Sequence, residues 1–376
     1  MFEEGNRLKM EHGADEVFDF SLGNPDLDPP QPFLDRLREL THSPPEGLHR
    51  YMPNAGWPEV RQKIAQHLER RTRIPYRGEN LLMTVGAGGA LNVLFKALLD
   101  PGDEVIVFAP YFVEYGFYVE NHQGRLVVVE TRDDFSLDAE RLADAITSRT
   151  KAVVVNSPNN PSGVVYSAAE YEAIAAVLEE QEQPIYLVTD EPYRKIVYEG
   201  YDCPEVPPFY DNTVLITSHS KDLGLAGERI GYLAVSPRAD DAEELLAACT
   251  FTNRTLGFVN APSLFQLAAA DCQDLTVDIA MYAERREILL NHLLELGFDV
   301  VAPGGAFYLF PKSPIPDETE FVRDCMRERV LVVPGRGFGR PGHFRVSYAV
   351  PTENIERSLP AWERIAHQYA GGNRAS

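Results

Sequence analysis

Short apolar runs alternate with longer amphipathic segments over the middle of the chain. The runs at 125–131, 151–155 and 185–189 are rich in β-branched residues and are too short to be buried helices, so they predict buried strands. The segment at 167–181 repeats its apolar residues at helical spacing between two of these runs. This alternation predicts right-handed βαβ units and a mainly parallel sheet that helices cover on both faces.

The last part of the chain has a different pattern. Amphipathic spacing from Ser263 to about Leu296 predicts one long helix that leads into a carboxyl-terminal region. The apolar runs that follow predict strands with a flanking helix on either side, which is typical of a small α+β domain.

Composition narrows the class of protein. The chain has 376 residues, 44% of them hydrophobic, which predicts globular structure with more than one core. Its formal net charge is -22, and so acidic a surface would repel both nucleic acid and anionic lipid. Its four cysteines lack metal-ligand spacing, so we expect no metal site. The first residues carry charges throughout, without an apolar leader, and predict a cytoplasmic protein. Whether residues precede Met1 stays open.

Polar residues are concentrated where predicted strands end. Ser218, Ser220, Lys221 and Arg229 lie between the apolar runs at 213–217 and 230–235. A lysine in such a place is either solvated or desolvated, and these two interpretations stay open on the local sequence. A desolvated lysine has a lowered pKa, and its neutral amine forms Schiff bases with carbonyls.

Two further polar segments, NSPNNPSG at 156–163 and DEPY at 190–193, also follow strand-like runs. Open α/β sheets bind ligands beyond the carboxyl ends of their strands. The segment GAGGAL at 86–91 predicts a glycine turn that opens a helix and exposes amides for a phosphate. It lacks the last glycine of a dinucleotide fingerprint, and the next strand ends without an acidic residue, so we disfavour a nicotinamide site.

The order of these motifs resembles a known family. GAGGAL, NNPSG, DEPY, SHSK with GERIGY, and FRVSY at 344–348 resemble the fold-type I aminotransferases of the aspartate aminotransferase superfamily, over nearly the whole chain. The resemblance implies an α/β enzyme of amino-acid metabolism that uses pyridoxal 5'-phosphate. It would move an amino group between an L-amino acid and a 2-oxo acid by a ping-pong mechanism. It also implies a large domain at 42–282 and a small domain built from 1–41 and 283–376.

The resemblance assigns the binding of the cofactor's ring to a few residues. Lys221 would carry the cofactor covalently and, once free, shuttle the substrate proton. Asp190 would pair with the ring nitrogen, while Tyr193 and Asn160 would bond the phenolic oxygen. The alternatives are that Asp190 caps a helix and that NNPSG, on local propensity alone, is an ordinary turn.

A second group of residues would hold the rest of the cofactor. Phe112 would stack on the pyridine ring, with Tyr111 as its competitor. The phosphate ligands implied are the amides of Ala87 and Gly88, the side chains of Ser218, Ser220 and Arg229, and Tyr51 from the neighbouring subunit of a homodimer. His219, which would point to the opposite face of a continued strand, is interpreted as structural.

Substrate recognition is assigned in the same way. Arg345 would clamp the α-carboxylate, its alternative being an exposed salt bridge, and Asn160 would assist it. The Gly23 backbone would approach the substrate, unless that glycine serves only a turn with positive φ. Arg254 falls one residue from the place where dicarboxylate-specific members carry a second arginine, so its contact with substrate stays open.

The side chain of the substrate also stays open. Phe112, Phe307 and Tyr308 offer apolar surface for an aromatic or aliphatic substrate. Two other functions share these motifs, namely a carbon-sulfur β-lyase or other eliminating enzyme, and the effector-sensing domain of a regulator.

Overall fold

The structure is a computed structural model that describes residues 2–369. Within these residues no helix combines the length and apolar composition that crossing a bilayer requires. The strands are β1 (Phe18–Asp19), β2 (Leu81–Thr84), β3 (Glu104–Ala109), β4 (Arg125–Glu130), β5 (Thr150–Asn156), β6 (Tyr186–Asp190), β7 (Thr213–Ser218), β8 (Gly231–Val235), β9 (Tyr308–Leu309), β10 (Val330–Leu331), β11 (Val333–Pro334) and β12 (Phe344–Ser347). The α-helices are α1 (Phe2–His12), α2 (Gln31–His42), α3 (Pro58–Thr72), α4 (Gly86–Leu98), α5 (Glu114–Glu120), α6 (Ala139–Ala145), α7 (Ala168–Glu179), α8 (His219–Asp222), α9 (Ala242–Thr255), α10 (Ser263–Ala270), α11 (Ile279–Glu295), α12 (Glu318–Arg327) and α13 (Thr352–His367).

Seven strands form the central sheet, in the order β2-β8-β7-β6-β5-β3-β4. β8 is antiparallel to both of its neighbours, and the remaining pairs are parallel. Side chains alternate across the sheet, so Val154 packs beneath α4 and α9 while Val153 and Val155 pack against α6 and α7. The predicted α/β class, with a mainly parallel sheet covered on both faces, is confirmed.

A smaller sheet lies in the carboxyl-terminal part, where β12 pairs in antiparallel fashion with β11 and β9. Its core includes Trp362 of α13, Phe321 of α12 and Phe344. β1 pairs in parallel with β10 and so joins the early chain to this part. The domain boundaries at 42 and 283 stay a prediction, and residue 1 and residues 370–376 lie outside the described chain.

The prediction of one helix from Ser263 to Leu296 was wrong. α10 ends at Ala270, and α11 begins only at Ile279. Asp278 caps α11 by accepting a hydrogen bond from the Ala280 amide at 3.0 Å. Aspartates compete with a continuous helix because their short side chains bond nearby amides, and three of them fall between 271 and 278.

Candidate active site

Three parallel strands end side by side at one edge of the central sheet. The register pairs Asn156 with Asp190, and Asp190 with Ile216, so the segments after β5, β6 and β7 meet there. A cavity of about 300 Å³ opens at this edge. The residues to which the sequence assigned cofactor or substrate contacts line it, except Tyr51, Phe307 and the open candidate Arg254. Those that line it are Gly23, Ala87, Gly88, Phe112, Asn160, Asp190, Tyr193, Ser218, Ser220, Lys221, Arg229 and Arg345.

The amine of Lys221 is desolvated. Lys221 lies on the single turn α8, directly after β7, and its Nζ donates a hydrogen bond to the Gly23 carbonyl at 2.6 Å. Burial, followed by repulsion from the Arg345 and Arg229 cations, lowers the pKa of Lys221 from 10.5 to about 8. Of the two interpretations of this lysine, the structure therefore supports the reactive amine.

Asp190 ends β6 as a fully buried carboxylate. Burial raises the pKa of Asp190 to about 7, although a hydrogen bond from the Tyr115 hydroxyl to Oδ2, at 2.7 Å, opposes this effect. Its other oxygen, Oδ1, is buried and has no hydrogen-bond partner among residues 2–369. A buried carboxylate oxygen needs such a partner, and the protonated nitrogen of a pyridine ring would supply it. The residues present therefore fit pyridoxal phosphate.

An anion site lies at the amino-terminal end of α4. Gly86 begins this helix with φ of +75°, and a Cβ there would lie 2.7 Å from Nη2 of Arg229. Glycine thus lets the guanidinium approach the free helix amides. Nη1 of Arg229 bonds the Ala226 carbonyl at 3.0 Å and lies 3.4 Å from the Ser220 hydroxyl. Backbone amides, hydroxyls and a guanidinium together suit a phosphate.

Arg345 is buried without a counter-charge among residues 2–369. Its Nη1 donates to Oδ1 of Asn160 at 2.9 Å, and its Nη2 donates to the Ser21 carbonyl at 2.7 Å. The Nε atom is buried without a partner, and no carboxylate pairs with Arg345 in the described chain. The alternative of an exposed salt bridge is therefore wrong. A guanidinium that is desolvated and bonded to neutral carbonyl oxygens suits an incoming carboxylate.

The close approach at Gly23 has a steric cause. A Cβ on this residue would lie 1.9 Å from the Tyr308 hydroxyl, and its φ is outside the left-handed region. The turn alternative for Gly23 is therefore wrong, since the lack of space excludes a side chain. The Tyr308 hydroxyl also lies 2.8 Å from that of Tyr193.

The aromatic residues divide between the cavity and the core. Phe112 and Tyr308 line the cavity, whereas Tyr111 packs against Gly339 away from it, so Phe112 is the better platform for a flat ring. Phe307 is fully buried against Tyr193 and does not line the cavity, so the expectation that it offers substrate surface was wrong.

His219 is structural, although the reason given from the sequence was wrong. β7 ends at Ser218, so no strand alternation turns His219 away; it lies in α8 instead. Its Nδ1 lies 3.3 Å from the Asp222 carboxylate, which also accepts a bond from Lys195 at 2.8 Å. Burial favours the neutral acid, but His219 and Lys195 outweigh it and bring the pKa of Asp222 to about 2. This network anchors the turn that carries Lys221.

Sequence reasoning missed three residues at the site. Asp222 directly follows Lys221 in the chain, and this adjacency was the available signal for it. Tyr118 lines the cavity, with its hydroxyl in the space that a side chain on Gly88 would fill, and Tyr115 bonds Asp190. Both tyrosines recur at helical spacing after Phe112, but that spacing alone indicates only a packed helix face.

Tyr51 is 92% exposed and does not line the cavity. Arg254 is exposed near the end of α9. The segments around them meet, because Asn260 donates to the Pro53 carbonyl at 3.0 Å and Asn253 to the Asn54 carbonyl at 3.4 Å. The two residues thus belong to adjoining surface segments, and their roles stay predictions.

Comparison with known proteins agrees with this geometry. The family model described as aminotransferase class I and II matches residues 15–361. The aspartate/prephenate aminotransferase of Thermus thermophilus is 36% identical, over 95% of this chain and 93% of that protein. A solved amino transferase from Eubacterium rectale has a TM-score of 0.95 and 41% identity, covering 98% of this chain and 94% of that one. The Thermus thermophilus aspartate aminotransferase structure with maleate has a TM-score of 0.86 and 33% identity, covering 97% and 96%.

Proposed function

We propose residue roles, a substrate and an assembly on the premise that this chain belongs to the class I and II aminotransferases, as its similarity over nearly its whole length shows. It is therefore a pyridoxal-phosphate-dependent aminotransferase that moves an amino group between an L-amino acid and a 2-oxo acid. Its relatives are named as aminotransferases, which favours this reaction over elimination or effector sensing. The residue roles that follow rest on the geometry of the cavity.

One observation carries the assignment of Lys221. It is the desolvated amine of the cavity, and its lowered pKa of about 8 leaves a useful fraction of neutral amine near neutral pH. When bound, pyridoxal phosphate supplies an electron-withdrawing ring that stabilises negative charge at the substrate α-carbon. Lys221 holds this group covalently and, in its free form, moves the proton at the α-carbon.

The remaining cavity residues orient the reactants. Asp190 would accept the ring N–H through Oδ1, which has no partner among residues 2–369, and Phe112 would support the ring face. The amino-terminal amides of α4, Ser218, Ser220 and Arg229 bind the phosphate. Arg345 binds the α-carboxylate through its fork of donors, supported from behind by Asn160. Tyr193 would donate a hydrogen bond to the ring's phenolic oxygen. Its hydroxyl keeps its proton, because burial and the neighbouring Tyr308 raise the pKa of Tyr193 well above its ordinary value.

We propose that aspartate is among the amino donors and that 2-oxoglutarate is an acceptor, in a ping-pong cycle. The aspartate/prephenate enzyme named above and the maleate-bound structure support a dicarboxylic substrate. The cations lining the described cavity are Lys221, Arg229 and Arg345. Each already has a proposed role, in attaching the cofactor, in binding its phosphate and in binding the α-carboxylate, respectively. A cation for the distal carboxylate would therefore come from the partner subunit, and Arg254 is its candidate.

A homodimer is the assembly that this proposal requires. The exposed Tyr51 ring would cover the phosphate of the partner's cavity, and its large exposed area is consistent with burial by a second copy. We propose that the dimer acts in the cytoplasm, because all four cysteines are free, as is usual where thiols stay reduced.

A substrate comparison tests the proposed function. The purified enzyme is incubated with aspartate or phenylalanine and with 2-oxoglutarate, and glutamate is assayed beside pyruvate and ammonia. We expect glutamate from aspartate, and a selective loss of kcat/KM for aspartate in Arg254→Ala. An equal loss for both donors, or none, would exclude Arg254 from side-chain recognition, and ammonia without glutamate would contradict transamination.

A further inference from the structure

The two oxygens of the Asp190 carboxylate have different surroundings. Oδ2 accepts a hydrogen bond from the Tyr115 hydroxyl at 2.7 Å, whereas Oδ1 is buried without a partner in the described chain. Asp190 lines the active-site cavity, and Tyr115 does not. Tyr115 instead lines a separate small cavity, and its hydroxyl is linked to the active site through its hydrogen bond to Asp190.

Tyr115 is placed so that it can act only as a donor to this carboxylate. It is 1% exposed, and its ring packs edge-on against Phe112, with 5.5 Å between centroids. Burial and the charge of Asp190 raise the pKa of Tyr115 well above its ordinary value, so its hydroxyl keeps its proton. Tyr115 therefore packs against Phe112, the platform for the cofactor ring, and also donates to Asp190, the proposed partner of the ring nitrogen.

Asp190 needs this donor because its surroundings disfavour its charge. It is fully buried, its neighbour Glu191 is also acidic, and no cation forms an ion pair with it among residues 2–369. A protonated carboxyl could still accept a hydrogen bond, but it would lack the negative charge that stabilises a cationic ring. A hydrogen bond to the ionised form stabilises the charge and also limits rotation of the carboxylate.

We propose that Tyr115 is a positioning residue for the cofactor ring: its hydroxyl occupies Oδ2 of Asp190 and so presents Oδ1 as the acceptor for the ring N–H. The inference rests on the proposed role of Asp190. It assigns to Tyr115 a contribution to cofactor affinity that depends on the ring nitrogen and on no other part of the cofactor.

Cofactor binding separates this role from a structural one. The full-length cofactor-free protein is titrated, through the fluorescence of its two tryptophans, with pyridoxal 5'-phosphate and with its 1-deaza analogue, in which C–H replaces the ring nitrogen. Wild type should bind the natural cofactor more tightly. Tyr115→Phe should lower that affinity roughly 10-fold or more, as expected for loss of a hydrogen bond to a charged group. Its affinity for the analogue should not change.

An equal loss for both ligands in Tyr115→Phe, or no loss for either, would overturn the proposal. Tyr76→Phe is the matched control, since it removes a buried tyrosine hydroxyl that has no hydrogen-bond partner among residues 2–369. Both affinities should stay as in wild type. If wild type does not distinguish the two ligands, the role of Asp190 fails, and that of Tyr115 fails with it.

A second variant keeps the test decisive if Tyr115→Phe alone does not fold. Asp190→Asn combined with Tyr115→Phe leaves no buried charge at this position. We expect it to bind both ligands with the same affinities as Asp190→Asn alone, because the tyrosine has no carboxylate to act on. Weaker binding of pyridoxal 5'-phosphate by the double variant than by Asp190→Asn would show a separate effect of the tyrosine and overturn the proposal.

Discussion

Replacing the reactive lysine should stabilise the cofactor-free protein. Burial and two neighbouring cations disfavour the charged form of Lys221 and lower its pKa from 10.5 to about 8. At 1.36 kcal/mol for each pKa unit, this corresponds to about 3 kcal/mol of destabilisation below pH 8. Lys221→Met removes the charge and keeps most of the volume, but it loses the bond to the Gly23 carbonyl, a loss of about 1 kcal/mol. The expected net gain is about 2 kcal/mol.

The pH dependence identifies the cause of this gain. Between pH 8 and 10.5 the unfolded chain binds more protons at Lys221 than the folded chain does, so the stability of wild type rises with pH over this window. The advantage of Lys221→Met should therefore be greatest below pH 8 and should shrink above it. Urea unfolding of the two cofactor-free proteins at pH 6.5, 7.5, 8.5 and 9.5 measures the difference.

A second lysine provides the control of opposite sign. Lys195 donates to the buried Asp222 carboxylate at 2.8 Å, so Lys195→Met leaves that charge with His219 alone. We expect a loss of stability of about 3 kcal/mol, as is typical when one partner of a buried pair is removed. If Lys221→Met proves no more stable than wild type at pH 6.5, or if its advantage does not depend on pH, the desolvated-amine account is refuted.

Three further predictions follow from the cavity. Arg345→Gln should raise KM for amino and oxo acids alike and lower kcat/KM by roughly 10- to 100-fold, because the two charged N–H donors of the buried guanidinium are lost. Steady-state kinetics with several donors checks this, and an unchanged KM would contradict it. Gly23→Ala should lower kcat/KM by roughly 10-fold or more, since the new Cβ would overlap the Tyr308 hydroxyl and displace the backbone that Lys221 bonds; wild-type kinetics would count against the close approach. Mixing Tyr51→Ala with Lys221→Ala chains should restore activity through heterodimers that carry one intact site, and an enzyme that sediments as an active monomer would exclude the crossing of Tyr51.

Local sequence was sufficient to locate the residues of the site that lie where strands end, whereas their roles were implied by the family resemblance. Lys221, Asp190 and Asn160 each follow a short apolar run, and in a parallel sheet such positions meet at one edge, so neither long-range pairing nor side-chain detail was needed. The glycine turn at 86–91 was equally readable, because a helix amino terminus binds anions through its backbone.

The supporting contacts could not be predicted, because they join residues that are distant in the chain. Tyr115 and Asp190 are 75 positions apart, and Lys195 and Asp222 are 27 apart. Nothing in the local pattern distinguishes such a tyrosine or lysine from one that merely packs or is solvated. The prediction of one continuous helix from Ser263 failed for a different reason. Capping by Asp278 competes locally with an amphipathic pattern that otherwise continues.

The covalent attachment site tests the central claim most directly. The enzyme saturated with pyridoxal 5'-phosphate is reduced with borohydride, digested with trypsin and examined by mass spectrometry. Modified Lys221 resists cleavage, so the account predicts that the added mass lies on the single peptide spanning 196–229. Added mass on Lys195 or Lys151 instead, with Lys221 unmodified, would contradict the account.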